Sequence, residues 1–245
     1  MNGGSMHILI TKDYKELSLR AAEVMLAVVK EKPDAVLGLA TGTTPLGLYQ
    51  RLIRDHAENG TDYSRVRTVN LDEYKGLPKS HPQSYAYFMR KNLFDDLQIA
   101  PEQTDIENGM AEDEGAECAR YDALLEQRPR DIQLLGLGSN GHIAFNEPNT
   151  SFGSKTHVVA LAESTVKDNA RLFSNISEVP RAAFTMGISQ IMRAKKILIL
   201  ASGKNKAEAV YKMVKGDVTE AVPASVLQLH PDCTLILDKE AAAKL

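Results

Sequence analysis

The arrangement in this sequence best suited to moving protons is an imidazole and a carboxylate in a glycine-spaced turn. The turn is Gly136-Leu-Gly-Ser-Asn-Gly-His-Ile-Ala-Phe-Asn-Glu-Pro148, and it carries His142, Glu147 and, beside them, Asn140. A His with a carboxylate neighbour transfers protons near neutral pH. The turn follows Ile132-Gln-Leu-Leu-Gly-Leu137, an apolar run that reads as a buried strand. Glycines at the end of such a strand let backbone approach a ligand closely. The alternative is that His142 caps a turn and Glu147 is solvated.

Three further groups stand out, and all their members but Arg171 follow apolar runs. After Val36-Leu-Gly-Leu-Ala40 come Thr41, Gly42, Thr43, Thr44 and then Pro45, which suits a first helical turn. Three hydroxyls at the start of a helix make an anion site of the phosphate-binding type, or else a plain capping turn. The spacing is neither a Walker loop nor GxGxxG, so no nucleotide is implied. After Val66–Leu71 come Asp72 and Glu73. They mark a helix start, or one of them is a base. Adjacent residues on an extended backbone point apart, so one at most faces a given pocket. Arg171 and Lys206 are the cations placed to hold an anion, with solvated surface charge as the alternative for each.

The elements that must position these residues alternate. Strands are expected at His7–Ile10, Val36–Ala40, Val66–Leu71, Ile132–Leu137, Val158–Leu161, Ile197–Ala201 and Thr234–Leu237. Helical periodicity covers Tyr14–Lys30, Leu46–His56, Ser84–Leu97, Glu112–Gln127, Thr165–Phe173 and Lys204–Lys215. This predicts an α/β fold: a doubly wound, mostly parallel sheet with helices on both faces. Ligands of such sheets gather at the carboxyl ends of the strands, where every group named above falls except Arg171, which lies in the suspected flap. Residues 149–155 and 174–180 are the least regular and flank a polar helix, which suggests a small mobile lid over 149–180.

With 245 residues, 43% of them hydrophobic, the chain can bury a full core as one domain over residues 6–245. Residues 1–5 read as an expression scar ahead of Met6 rather than a signal peptide. A net charge of −3 provides no basic field for nucleic acid. No apolar stretch approaches the roughly 18 residues of a membrane span. The two cysteines, Cys118 and Cys233, form no metal or CxxC spacing, which suits a reducing, cytoplasmic setting. No His/Cys/Asp cluster has metal-ligand spacing, so no metal is expected.

Taken in order, the Pro45 turn, Leu71-Asp-Glu-Tyr-Lys-Gly-Leu-Pro78, Gly141–Pro148, Val179-Pro180 and Leu227-Gln-Leu-His-Pro231 resemble the glucosamine-6-phosphate deaminase family. The resemblance spans Met6 to about Leu237. It implies conversion of glucosamine 6-phosphate and water to fructose 6-phosphate and ammonia, with no metal or organic cofactor. His142 matches the family's ring-opening proton carrier, and Glu147 the acid that assists it. Asp72 matches the base that moves a proton from C2 to C1. Thr41 to Thr44, Arg171 and Lys206 match positions that hold the 6-phosphate. Asn140 departs from the Asp of well-known members, and an amide orients an imidazole without stabilising its charged form. The tail after Asp238 is shorter than in allosteric members, so neither activation by N-acetylglucosamine 6-phosphate nor the accompanying hexamer is carried over. A lactonase of similar fold, which needs no C2 base, and a sugar-phosphate sensor, which needs a DNA-binding segment, are the competing readings.

Overall fold

A computed structural model describes residues 6–161 and 163–245, and the side chains of all but 164, 165, 168 and 169 among them. The stretch 1–5 lies outside the described residues.

The apolar runs form strands. In chain order these are β1 (His7–Thr11), β2 (Val36–Leu39), β3 (Arg67–Asn70), β4 (Asp72–Tyr74), β5 (Thr104–Asp105), β6 (Ile132–Gly136), β7 (His157–Ala160), β8 (Ala182–Thr185), β9 (Ile197–Ala201) and β10 (Cys233–Asp238). Seven of them pair in parallel in the order β1-β10-β9-β6-β2-β3-β5. β2 and β9 are buried at every position, which requires cover on both faces. Each fully buried Leu or Ile in this layer contributes about 1.5–3 kcal/mol, before the entropy of ordering the chain is subtracted.

Helices supply the cover. Tyr14–Glu31 starts where the Asp13 carboxylate accepts from the Glu16 N–H at 2.8 Å, and it buries Leu17, Ala21, Met25 and Val28 along one stripe. Leu46–Asn59 stops at Gly60, whose φ of 70° only glycine adopts without strain. The expected helix over Ser84–Leu97 is α-helical at Tyr85–Met89, widens to a π turn at Arg90–Phe94 and closes at Asp95–Leu97.

The winding reverses between β2 and β6. From β2 the chain runs outward to β3 and β5, then returns to β6 and runs the other way to β9 and β10. The carboxyl ends of β2 and β6 therefore flank the crevice where open α/β sheets bind ligands.

One strand expectation changes. The run expected at Val158–Leu161 forms β7, which leaves the main sheet and joins an antiparallel one in the order β4-β8-β7. Its partial exposure explains this, since a half-covered strand does not fit a layer buried on both faces. β4, β5 and β8 had no strand signal of their own, being two to four residues long. Leu71 joins the two sheets: its N–H donates to the Leu39 carbonyl at 3.2 Å, and its carbonyl accepts from Met186 at 2.7 Å.

Candidate active site

The loops after β2, β3, β6 and β9 enclose a cleft of about 310 Å³, lined by Thr41 to Thr44, Asp72, Tyr85, Gly136 to Ser139, His142 and Lys206. It lies at the reversal of winding.

The β2 loop turns at Gly42, with φ of 92°, and enters the helix Leu46–Asn59 at Pro45. The Tyr14 hydroxyl holds it from behind, 3.1 and 2.9 Å from the carbonyls of Thr43 and Thr44, while accepting from Gly47 N–H at 2.9 Å. Lys206 closes a short 3-10 turn after β9, beginning at Gly203, which is tied to the Asp238 carboxylate at 3.0 Å. The Lys206 ammonium is half-buried, and burial pulls its proton affinity below the usual lysine value. A cation beside hydroxyls at a helix start is suited to a phosphate.

The turn after β6 is pinned at both ends. The Gly138 N–H donates to the His142 carbonyl at 2.9 Å, and the buried Asn146 amide donates to the carbonyls of Ile143 and Met186 at 3.0 and 2.9 Å. Gly138 has no alternative: a Cβ there would lie 2.3 Å from the His142 ring. Within the turn, Asn140 Nδ2 donates to Glu147 Oε2 at 2.7 Å, and Asn140 Oδ1 lies 2.7 Å from His142 Nδ1. A carboxylate only accepts, so the amide nitrogen must face Glu147 and the amide oxygen His142. The proton of the neutral ring then sits on Nδ1, leaving Nε2 with a free lone pair. Burial draws the imidazole below its usual pKa, against the charge of Glu147 and together with that of Lys206. Glu147 Oε1 is 3.5 Å from Nδ1.

Asp72 and Glu73 face opposite ways. The Glu73 carboxylate turns into the protein and accepts from the N–H groups of Tyr85 and Ala86, each at 2.9 Å, capping the helix that starts there. Asp72 lines the cleft at 7% exposure. Burial, and after it the charge of Glu73, pushes its carboxyl up to about 8. Asp72 pairs in register with Thr185, whose hydroxyl accepts from Phe145 N–H at 3.2 Å, so β8 links the acid to the His142 turn.

Two site residues carried no sequence signal. Tyr14 and Tyr85 both sit in helical patterns, where an aromatic reads as core. The Tyr85 hydroxyl hydrogen-bonds the side chains of Tyr74 and Thr41, and burial with the nearby charge of Asp72 holds it well above its usual pKa. Its ring lies nearly parallel to Phe145, with centroids 6.4 Å apart. Arg171 is not brought to the cleft: it is exposed in the turn after the helix Glu163–Ala170. Among the described residues no three His, Cys, Asp or Glu side chains stand together as metal ligands.

Residues 12–236 match the family described as glucosamine-6-phosphate isomerases/6-phosphogluconolactonase. The glucosamine-6-phosphate deaminase of Thermoanaerobacter pseudethanolicus is 54% identical over 97% of this chain and 94% of its own. That of Clostridioides difficile is 50% identical over 98% of this chain and 97% of its own. A solved structure of a monomeric glucosamine-6-phosphate deaminase superposes with a TM-score of 0.93 at 50% identity, covering 98% of this chain and 100% of that one. The 6-phosphogluconolactonase from Trypanosoma cruzi shares the fold, with a TM-score of 0.79 at 20% identity, covering 100% of this chain and 99% of its own. This chain belongs to the glucosamine-6-phosphate isomerase/6-phosphogluconolactonase family.

Proposed function

We propose that this protein converts glucosamine 6-phosphate and water to fructose 6-phosphate and ammonia, with Asp72, His142, Glu147 and Asn140 as its catalytic group. The observation that carries the reading is that a buried carboxyl, Asp72, lines the same cleft as His142 and the threonine loop. Lactone hydrolysis has no use for a carbon base, whereas isomerisation depends on one.

The 6-phosphate is held by Thr41, Gly42, Thr43, Thr44 and Lys206. Remote binding of this kind orients the reacting carbons. His142 Nε2 takes the proton from O1 of the closed sugar and returns it to O5 as the ring bond breaks, with the charge of Glu147, 3.5 Å from Nδ1, steadying the imidazolium while Asn140 orients the ring. Asp72, as a carboxylate, then takes the proton from C2. The C–H electron pair forms a C1–C2 double bond, and the aldehyde oxygen becomes a hydroxyl by taking a proton from the substrate's own C2 ammonium group. Return of the proton to C1 leaves C2 doubly bonded to nitrogen. Water adds at C2, ammonia leaves, and the ketone remains.

Residues 149–180, with β7 and the helix Glu163–Ala170, form a mobile lid, and its closure carries Arg171 onto the phosphate. No helix among the described residues is long and apolar enough to cross a membrane. Unpaired thiols at Cys118 and Cys233 suit a reducing cytoplasm. Incubation with glucosamine 6-phosphate, with ammonia and fructose 6-phosphate assayed together, tests the reading. Hydrolysis of 6-phosphogluconolactone without ammonia release from the amino sugar would overturn it.

A further inference from the structure

Behind the base lies a carboxyl that this reaction does not use. Glu107 is 0% exposed, and among the described residues no other residue gives either side-chain oxygen a hydrogen bond. Sheet register brings it there: Val69 pairs with Asp105, and the chain runs on from β5 past Ile106 alongside the continuation of β3 toward Asp72. Two residues later, Gly109 packs onto β4. A Cβ there would stand 2.3 Å from the Tyr74 carbonyl oxygen and 3.3 Å from Glu73 Cγ. The helix Glu114–Gln127 closes the other side, with Glu117 accepting from Asn108 N–H at 2.6 Å and Tyr121 donating to the Asn70 carbonyl at 2.5 Å.

The titratable groups facing Glu107 are therefore Asp72 and Glu73 from β4, and Glu117, Cys118, Arg120 and Tyr121 from the helix. Arg120, the cation among them, is committed to Glu117 through contacts of 2.7 and 2.6 Å. Lys79 acts on Glu73 and Glu117, and the buried Arg130 acts on Tyr121, but among the described residues none of these cations forms an ion pair with Glu107. Burial, and after it the charge of Asp72, holds its carboxyl well above the usual range. Two neighbouring carboxyls in a dry site share one charge before they accept two.

Resting on the deaminase reading, we propose that Glu107 is a positioning residue for proton abstraction, staying uncharged behind Asp72 so that no further negative charge is added beside the base. As the C2–H bond breaks, its electron pair spreads toward C1 and O1. A further fixed negative charge nearby opposes that development. Ionisation of Glu107 at alkaline pH therefore lowers activity.

The test reads the protonation of Glu107 directly, by infrared titration of the whole protein. At neutral pH the wild type shows the C=O stretch of a protonated carboxyl that Glu107→Gln lacks. In Asp72→Asn the pH at which this band disappears falls by about one unit or more, because the neighbouring charge is gone. A missing band, or a midpoint that Asp72→Asn leaves in place, overturns the proposal. Neither reading needs turnover, so both stand apart from the deaminase reading, which fails on its own if the wild type releases no ammonia. In the pH profile of kcat/KM, the alkaline fall moves upward by about one unit in Glu107→Gln relative to wild type. Titration of the substrate amine is common to both enzymes and cancels. Superimposable alkaline limbs overturn the proposal. Glu107→Leu, which also lacks the charge, replaces Gln in every reading if the amide prevents folding.

Discussion

The side-chain amide of Asn140 bridges Glu147 and His142, donating to one at 2.7 Å and facing Nδ1 of the other at 2.7 Å. A neutral group at that point sets the imidazole's tautomer while adding no charge to its first contact. Asn140→Asp brings a carboxylate to the same distance and should raise the His142 pKa by about one to three units. The base form of His142 then appears at higher pH. NMR titration of the imidazole measures the shift, and an unmoved midpoint means that the contact is not made in solution.

His142 itself is held by shape as much as by hydrogen bonds. Gly138→Ala puts a methyl group 2.3 Å from the ring atoms, and the ring must move. The expected result is a loss of about 10²-fold or more in turnover of the closed-ring substrate, because an ångström of displacement costs that much. Far-UV circular dichroism should be unchanged. Turnover near that of wild type would show that ring opening does not depend on this imidazole position.

Asp72 is a functional group held at a cost in stability. Its carboxyl is pushed up to about 8, so the folded state binds its proton more tightly than the unfolded chain does. For an acid shifted this way, the folded state loses stability as pH rises from about 4 to about 8, and the loss is complete above that. Asp72→Asn should therefore be the more stable protein at pH 8, by on the order of a few kcal/mol, with the difference vanishing near pH 4. The same variant should lose ammonia release and solvent-deuterium entry into fructose 6-phosphate. Deuterium exchange at near the wild-type rate would identify another base.

Glu73→Gln is the matched control. Glu73 caps a helix with Tyr85 and Ala86 as donors and points away from the cleft. Its loss should cost about 1–2 kcal/mol of stability, read as a lower midpoint in urea. Deuterium exchange should persist. Equal loss of exchange in both variants would remove the distinction between the two acids.

Lys206 is expected to act on binding rather than chemistry. Lys206→Ala should raise KM for the phosphorylated sugar by about 1.5–3 kcal/mol, and glucosamine without phosphate should be a very poor substrate. Equal efficiency on both sugars would empty the anion site of its role.

Much of this molecule is legible locally. Apolar runs at Val36–Ala40, Ile132–Leu137 and Ile197–Ala201 are buried strands because continuous hydrophobicity of that length suits a layer covered on both sides. The glycine spacing around His142 forecasts a tight turn, and adjacency alone separates the directions of Asp72 and Glu73. What the tertiary structure decided involves partners far apart in the chain. Leu71 bonds to Leu39 on one side and Met186 on the other, and that double attachment ties the second sheet, in which β4 and β7 pair with β8, to the first. Tyr14 reaches Thr43 and Thr44 across some thirty positions of sequence, and Tyr85 meets Thr41 across more than forty. Arg171 stands exposed beyond the cleft for the same reason. Periodicity reports which face of an element is buried, whereas the register between elements is set by contacts that no local pattern encodes.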